Sequence, residues 1–182
     1  RRLNHWGGQP LPLNASCWVE DAGVGTLFLR LRGAAAAVEA ACRSLGGERQ
    51  DNARVAADWD ACRDQRLPWF ADRAPALGLW RLSVPQTAPV LVLPPGVGAP
   101  LVEWHGGQRW VQAGPGHGGA LREAAARVGG YATLFIAGDD HSALGIDRFE
   151  PLKAPLDRIH TRLKAEFDPA GIFNRGRLYA QL

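Results

Sequence analysis

The sequence predicts an α+β fold in which duplicated, ferredoxin-like β-α-β halves form one antiparallel sheet with helices on one face. Apolar residues alternate with polar ones over 24–32, which indicates a half-buried strand. Gly106 and Gly107 separate two further alternating runs, as expected of a β-hairpin. Segments with apolar residues at helical spacing lie between the strands, and a C-terminal helix and tail follow them. The sheet face without helices should be covered by another surface.

The first half begins with a Gly- and Pro-rich segment at 6–13, which predicts an extended chain. Pro68 stops the last predicted helix of this half, and 68–76 predicts a loop. The other elements expected here are strands at 14–20 and 24–32, an Ala-rich helix at 34–45 and a second helix at 53–66.

The second half begins with a strand at 79–84, followed by a long Pro-rich connection. In the hairpin that comes next, Trp104 and Trp110 are expected at nearby cross-strand positions. The C-terminal helix has the most regular pattern, because its apolar residues recur every three or four positions. The further elements are hairpin strands at 101–105 and 108–113, a helix at 117–128, a strand at 131–137, a polar loop at 138–150 and the C-terminal helix at 155–167.

Composition excludes several functional classes. Apolar residues make up 46% and charged residues 21% of the 182 residues, which is typical of a globular protein. The net charge of +3 comes without a clustered basic face, so we predict no nucleic-acid binding. No apolar run approaches the ~18 residues of a membrane span. Three widely spaced cysteines, Cys17, Cys42 and Cys62, indicate buried thiols in a reducing cytoplasm.

The residues suggest no metal site and no hydrolase. The five histidines are scattered, and no Gly-x-Ser-x-Gly motif is present. Asp139-Asp140-His141 forms the best local cluster of potential ligands, but a solvated loop explains it better. The glycines at 114–119 could cradle an anion before a helix, although a tight strand-to-helix turn is the better interpretation.

The tail at 167–179 reads Phe-Asp-Pro-Ala-Gly-Ile-Phe-Asn-Arg-Gly-Arg-Leu-Tyr. Pro169 and Gly171 predict the end of a helix, but they do not explain Asn174 and Arg177. This stretch closely resembles the C-terminal signature Phe-Asp-Pro-x-Gly-Ile-x-Asn-Pro-Gly-(Lys/Arg) of FAD-linked oxidases of the vanillyl-alcohol-oxidase type. Within that family the chain resembles the FAD-binding subunit of bacterial glycolate oxidase. The stretches that carry this second resemblance are 3–12, 62–70 and 80–85.

The resemblance implies an FAD-binding domain followed by a ferredoxin-like cap domain. Because the chain lacks methionine and opens on two arginines, we interpret 1–182 as a single C-terminal cap domain without its N-terminal FAD-binding domain. The uncovered sheet face would then point towards the flavin. FAD is expected in the full-length protein and not on this chain alone, which should also be inactive by itself.

The resemblance also implies candidate site residues. Asn174 and Arg177 match the positions of the signature that lie near the flavin, while Arg175 replaces the usual Pro and puts the rigidity of the loop in doubt. Trp59 and Arg63 echo a Trp-x-x-x-Arg pattern whose Arg binds a substrate carboxylate. A core Trp beside a surface Arg explains that pair equally well.

Catalytic residues are not identified. Related 2-hydroxy-acid oxidoreductases carry a His-x-Gly-Asp-Gly-Asn-x-His segment that supplies a proton acceptor and metal ligands, and nothing here matches it. The resemblance therefore implies an accessory subunit that takes part in oxidising glycolate to glyoxylate with electron transfer through FAD. Its partners would be a catalytic flavoprotein subunit and an iron–sulfur subunit, in the cytoplasm or at the inner membrane through that complex. A non-enzymatic ferredoxin-like module that binds a small molecule or a protein is the alternative, but it does not explain the tail.

Overall fold

The structure, a computed structural model, describes residues 2–139 and 147–179 and is organised around one antiparallel sheet. The strands are β1 (Leu13–Asp21), β2 (Val24–Leu31), β3 (Gly78–Ser83), β4 (Leu101–Glu103), β5 (Gln108–Ala113) and β6 (Tyr131–Ile136). They lie in the order β2-β1-β4-β5-β3-β6, and every neighbouring pair is antiparallel. The helices are α1 (Arg2–Gly7), α2 (Ala35–Leu45), α3 (Asn52–Arg63), α4 (Pro68–Ala71), α5 (Gly118–Ala126) and α6 (Leu156–Phe167). The predicted α+β class with an antiparallel sheet is confirmed.

The first hairpin follows from its sequence pattern. β1 pairs with β2 from Leu13 opposite Leu31 to Asp21 opposite Val24. Ala22 and Gly23 form the turn with φ angles of 48° and 79°, the left-handed combination that suits a two-residue hairpin. The strands predicted at 14–20 and 24–32 are therefore confirmed.

Helices pack against both faces of the sheet, which corrects the prediction that they lie on one face. Successive strand residues point to opposite faces. Trp80 of β3 belongs to a core cluster with Leu121 of α5, whereas its neighbour Leu79 belongs to a second cluster with Cys62 of α3 and Phe70 of α4. Because neighbouring residues of β3 point to opposite faces, α5 lies on one face of the sheet and α3 and α4 lie on the other. As a result, β3 and β5 are buried on both faces, and their central part offers no open surface to a flavin.

The face that carries α5 is packed closely at one glycine. Trp80 is completely buried, and the first residue of α5 is Gly118. A Cβ atom at Gly118 would lie 2.8 Å from the Trp80 ring, a distance that ordinary side chains do not reach. The glycine that we predicted as part of a tight turn therefore lets the helix approach the sheet.

The opposite face contains a buried carboxylate. Glu103 of β4 is 8% exposed, and its Oε2 accepts hydrogen bonds from Trp110 Nε1 at 2.5 Å and Gln108 Nε2 at 3.2 Å. Its Oε1 accepts a hydrogen bond from Cys62 Sγ at 3.2 Å. Cys17 lies directly opposite Glu103 on β1. This cluster joins β1, β4, β5 and α3.

Several local predictions are wrong. The chain forms the helix α1 where the extended segment at 6–13 was expected to begin, because the Gly- and Pro-rich run starts only at its last residue. Pro68 begins the short helix α4 inside the predicted loop at 68–76, since Pro suits the first helical position. Trp110 pairs with Leu101 and is buried, while Trp104 is 65% exposed, so the two tryptophans are not cross-strand neighbours. Most of the predicted loop at 138–150, with His141, lies outside the described residues.

The apolar stripe of α6 is present as predicted, but it is not buried. Its four large side chains, Leu156, Ile159, Leu163 and Phe167, are between 47% and 82% exposed.

Across residues 2–139 and 147–179, none of the helices combines the length and the hydropathy that a membrane span requires.

Candidate functional site: the C-terminal tail

The tail after α6 is organised by one carboxylate. Asp168 follows the last residue of the helix and is 8% exposed. Its Oδ1 accepts a hydrogen bond from the backbone N–H of Ile172 at 3.0 Å, and its Oδ2 accepts one from Phe173 N–H at 2.9 Å. Lys164 Nζ, one helical turn earlier, donates to the same Oδ2 at 2.5 Å and to the carbonyl of Phe173 at 2.5 Å. The chain from 168 to 173 is therefore wrapped around a single anionic group.

The same contacts keep this carboxylate ionised. The hydrogen bond from the Lys164 ammonium, helped by the backbone N–H groups of Phe173 and Ile172, lowers the pKa of Asp168 to about 2. Hydrogen bonds to the charged form of a carboxylate always act in this direction. At neutral pH the fold of the tail thus rests on a permanent ion pair, between a lysine and an aspartate four residues apart.

Beyond Phe173 the chain makes a turn that carries both predicted flavin-proximal residues. Asn174 has a φ of 51°, a left-handed conformation that Asn tolerates better than most residues. Its carbonyl accepts a hydrogen bond from Arg177 N–H at 3.2 Å, and Gly176 between them has a φ of 63°. The structure therefore brings Asn174 and Arg177 together on one tight turn.

Arg175, the position at which the sequence differs from the family signature, supports the turn through its own side chain. The Arg175 guanidinium folds back and donates to the carbonyls of Ala170, at 3.3 Å, and of Gly171. A side chain thus ties the turn to the preceding loop.

The side chains of Asn174 and Arg177 remain available. Both residues are exposed, and neither side chain makes a hydrogen bond with the described part of the chain. Ile172 and Phe173 are 66% and 62% exposed. The tail therefore presents an amide, a guanidinium and two apolar side chains on a rigid support.

Arg63 occupies a different environment at the end of α3. Its Nε and Nη2 donate to the two carboxylate oxygens of Asp64 at 2.7 and 3.1 Å, and its Nη1 donates to Asp60 at 3.0 Å. The hydrogen bonds from Arg63 and Arg66 lower the pKa of Asp64 to about 2. The bidentate face of the guanidinium is occupied, so a substrate carboxylate would have to displace Asp64. Trp59, its predicted companion, is partly buried and lies under Arg30.

No hydrogen bond or ion pair joins Arg63 to Asn174 or Arg177 within the described residues. The same part of the chain holds no group of three or more His, Cys, Asp or Glu side chains that could bind a metal ion.

The sequence interpretation missed the role of Asp168, which it treated as part of a helix stop. The spacing of Lys164 and Asp168, four residues apart at a helix end, was the available signal.

Comparison with known proteins finds similarity to a glycolate oxidase subunit. The chain is 40% identical over 181 residues to the glycolate oxidase subunit GlcE of Escherichia coli (strain K12). The alignment covers 99% of this chain and 45% of that protein, so the chain spans less than half the length of the relative. No family model and no solved structure matches the chain. The predicted resemblance to a glycolate oxidase subunit is thereby confirmed.

Proposed function

We propose that the chain is the cap domain of the FAD-binding subunit of a glycolate oxidase, in which an FAD-binding domain of the full-length protein supplies the rest of the flavin site. The single observation that carries this proposal is the preorganised tail, whose turn holds Asn174 and Arg177 in a stretch that matches the family signature. The 40% identity to a glycolate oxidase subunit over almost the whole chain supports it.

In this proposal Asn174 and Arg177 lie beside the flavin. The amide can both donate and accept hydrogen bonds, and the guanidinium is a permanent cation that would stabilise negative charge on a neighbouring cofactor. FAD, when bound, supplies the capacity to accept and pass on electrons. The exposed side chains of Ile172 and Phe173 would be covered by the FAD-binding domain, which agrees with their high exposure here.

The chain is proposed to assist the oxidation of glycolate to glyoxylate without carrying out the proton abstraction. That step needs a general base within hydrogen-bond reach of the hydroxyl group. None of the four described histidines, His5, His105, His117 and His160, has a side-chain hydrogen bond or ion pair with a carboxylate that could orient it. The catalytic flavoprotein subunit would supply the base, and an iron–sulfur subunit would receive electrons. Such a complex would act in the cytoplasm or at the inner membrane.

Arg63 is a weaker candidate for contact with a substrate carboxylate. Its guanidinium fork has the right geometry, but Asp64 already occupies it. If Arg63 binds substrate, exchange of Asp64 for the substrate carboxylate must accompany binding.

The test is co-expression of the full-length protein with the products of neighbouring genes, followed by glycolate-dependent dye reduction and flavin spectroscopy. Asn174→Ala and Arg177→Ala should shift the flavin absorption spectrum and lower dye reduction about tenfold, the effect of losing one charge-assisted hydrogen bond. Arg162→Ala, an exposed arginine on α6, serves as the matched control and should leave both unchanged.

Two results would contradict the proposal. Normal flavin content, spectrum and activity in both tail variants would remove Asn174 and Arg177 from the flavin site. Stoichiometric FAD on the purified 182-residue chain would show that the binding site does not need a separate domain.

A further inference from the structure

The two edges of the sheet are protected differently. At one edge, the Leu134 N–H of β6 donates a hydrogen bond to the Arg148 carbonyl at 2.9 Å, and the Arg148 guanidinium donates to the Phe135 carbonyl at 3.1 Å. A later segment of the chain thus covers the backbone of β6. At the other edge, β2 pairs only with β1 among the described strands. An open edge of this kind offers unpaired backbone groups to another strand.

The backbone groups of every second residue of β2 face this open edge. Directly after β2, the N–H of Arg32 donates to the Pro12 carbonyl at 2.9 Å, on the side of β1. Because the backbone groups of an antiparallel strand alternate between its two sides, those of the odd-numbered residues of β2 point away from β1. These residues are Gly25, Leu27, Leu29 and Leu31. In the part of the chain that the structure describes, their backbone groups have no hydrogen bond outside the ladder with β1.

β2 carries few of the features that keep edge strands from pairing with other chains. It contains no proline, and Arg30 is its one charged residue. The Arg30 guanidinium is held by Asn14 at 2.6 Å and lies over the Trp59 ring. Two apolar side chains on the same face of β2 are exposed, Val24 at 66% and Phe28 at 46%. The edge is therefore suited to pairing with another strand.

The charges of the first hairpin favour a second copy of this chain as the partner. Glu20 and Asp21 lie at the turn end of the hairpin, and Arg32 lies at its other end. All three are exposed, and within the described residues none of them has an ion pair. A second copy that runs antiparallel along β2 brings its basic end to the acidic end of the first copy, and the reverse. A copy that runs parallel would place like charges together.

We propose that β2 pairs with β2 of a second copy in a two-fold, antiparallel dimer that joins the two sheets into one. Full pairing of the outward-facing residues places Leu27 opposite Leu29 of the second copy, and Gly25 opposite Leu31 of the second copy. Phe28 then lies opposite Phe28 of the second copy, at the two-fold axis. Both copies contribute the same patch, as closed two-fold dimers require.

The same register pairs the free charges. Val24 lies opposite Arg32 of the second copy, and Asp21 is the neighbour of Val24 on β1. Neighbouring strands are about 4.8 Å apart, so the Cα atoms of Asp21 and of Arg32 of the second copy are about 10 Å apart. Residues in one row across a sheet share a face, and extended Asp and Arg side chains can bridge this gap. The two-fold axis makes the contact twice.

The test is sedimentation velocity of the 182-residue chain over a range of concentrations. One strand from each copy makes a small interface, so we expect a weak dimer with a Kd of about 10 μM. Asp21→Arg and Arg32→Asp should each weaken the dimer about tenfold, because like charges then meet across it. The variant with both changes restores the pairs and should dimerise like the wild-type chain. Arg127→Asp, an exposed charge reversal after α5, is the matched control and should have no effect.

Amide hydrogen exchange locates the contact residue by residue. The N–H groups of Leu27, Leu29 and Leu31 should become protected as the concentration rises. Those of Thr26 and Phe28 already face β1, so their protection should not depend on concentration. An alternating pattern of this kind is the signature of strand pairing at the β2 edge.

Three results would overturn the proposal. The first is a chain that stays monomeric up to about 1 mM. The second is a dimer that neither single charge reversal weakens, or that the double reversal does not restore. The third is a dimer that Leu163→Glu, on the exposed stripe of α6, abolishes while β2 shows no alternating protection, since the two copies would then meet through α6.

Discussion

Replacement of Glu103 by Ala should destabilise the protein by about 3 kcal/mol. The carboxylate is 8% exposed and accepts hydrogen bonds from Trp110, Gln108 and Cys62. Its removal leaves the indole N–H and the Gln108 amide buried without an acceptor, at about 1–3 kcal/mol each. Relief from burying a charge offsets part of that loss, and the thiol contributes little because it is a weak donor. A loss of about 3 kcal/mol corresponds to a melting temperature lower by about 6–12 °C in a chain of this length.

Urea denaturation followed by tryptophan fluorescence measures this difference directly. Glu103→Gln keeps one oxygen for the Trp110 indole and should cost only about 1 kcal/mol. Glu123→Ala on α5 is the matched control. Glu123 and Arg127 are 3.9 Å apart and largely exposed, and such pairs contribute less than about 0.5 kcal/mol.

Two results would refute the reasoning. If Glu103→Ala unfolds within about 1 kcal/mol of the wild-type chain, the buried donors find other partners and the carboxylate is dispensable. If Glu103→Gln is as damaging as Glu103→Ala, the negative charge matters and the count of hydrogen bonds does not.

Two further predictions concern α5 and the tail. Gly118→Ala should destabilise the protein by about 2 kcal/mol, because the new methyl group would overlap with the rigid Trp80 ring. The adjacent Gly119 has open space around it, so Gly119→Ala should be neutral or stabilising by about 0.5 kcal/mol. Equal melting temperatures of the two variants would refute this prediction. The pKa of Asp168 is about 2 in the folded chain, below its usual value of about 3.9, so its contribution to tail order is complete above that value and lost as the pH falls towards 2. Hydrogen exchange of the Ile172 amide, corrected for its intrinsic rate, should show this loss. Asp168→Asn should lack protection at every pH, and retained protection in that variant would exclude the carboxylate as the organiser.

The strands were predictable because their sequence patterns are local. Alternation over 24–32 specified β2, which the structure places at Val24–Leu31. Gly106 and Gly107 correctly indicated the second hairpin. However, Trp104 and His105 in this hairpin have left-handed φ angles, and neither residue type is common at such turn positions. The backbone N–H of His105 donates a hydrogen bond to Ser16 Oγ, and Ser16 lies 89 residues away in the sequence. A local sequence pattern cannot show such a contact.

The placement of the helices could not be predicted in the same way. An apolar stripe shows that a helix has a side to bury, but not which face of a sheet it meets. Leu79 and Trp80 are neighbours that belong to different clusters, and only the sheet order reveals that both faces of β3 are covered. Burial of the central strands also removes the open face that the sequence interpretation reserved for a flavin. The proposed contact with the cofactor therefore rests on the tail, where the sequence interpretation already placed Asn174 and Arg177.

The tail shows why a sequence signature can be recognised before it is understood. Read as local structure, Asp168-Pro169 and Gly171 merely end a helix. In the folded chain Asp168 binds the N–H groups of Ile172 and Phe173, while Lys164 binds both the carboxylate and the Phe173 carbonyl. The spacing within the signature is therefore the spacing needed to close a loop around one carboxylate. That loop ends directly before Asn174. Lys164 and Asp168 therefore position the exposed Asn174 amide without contacting a ligand themselves.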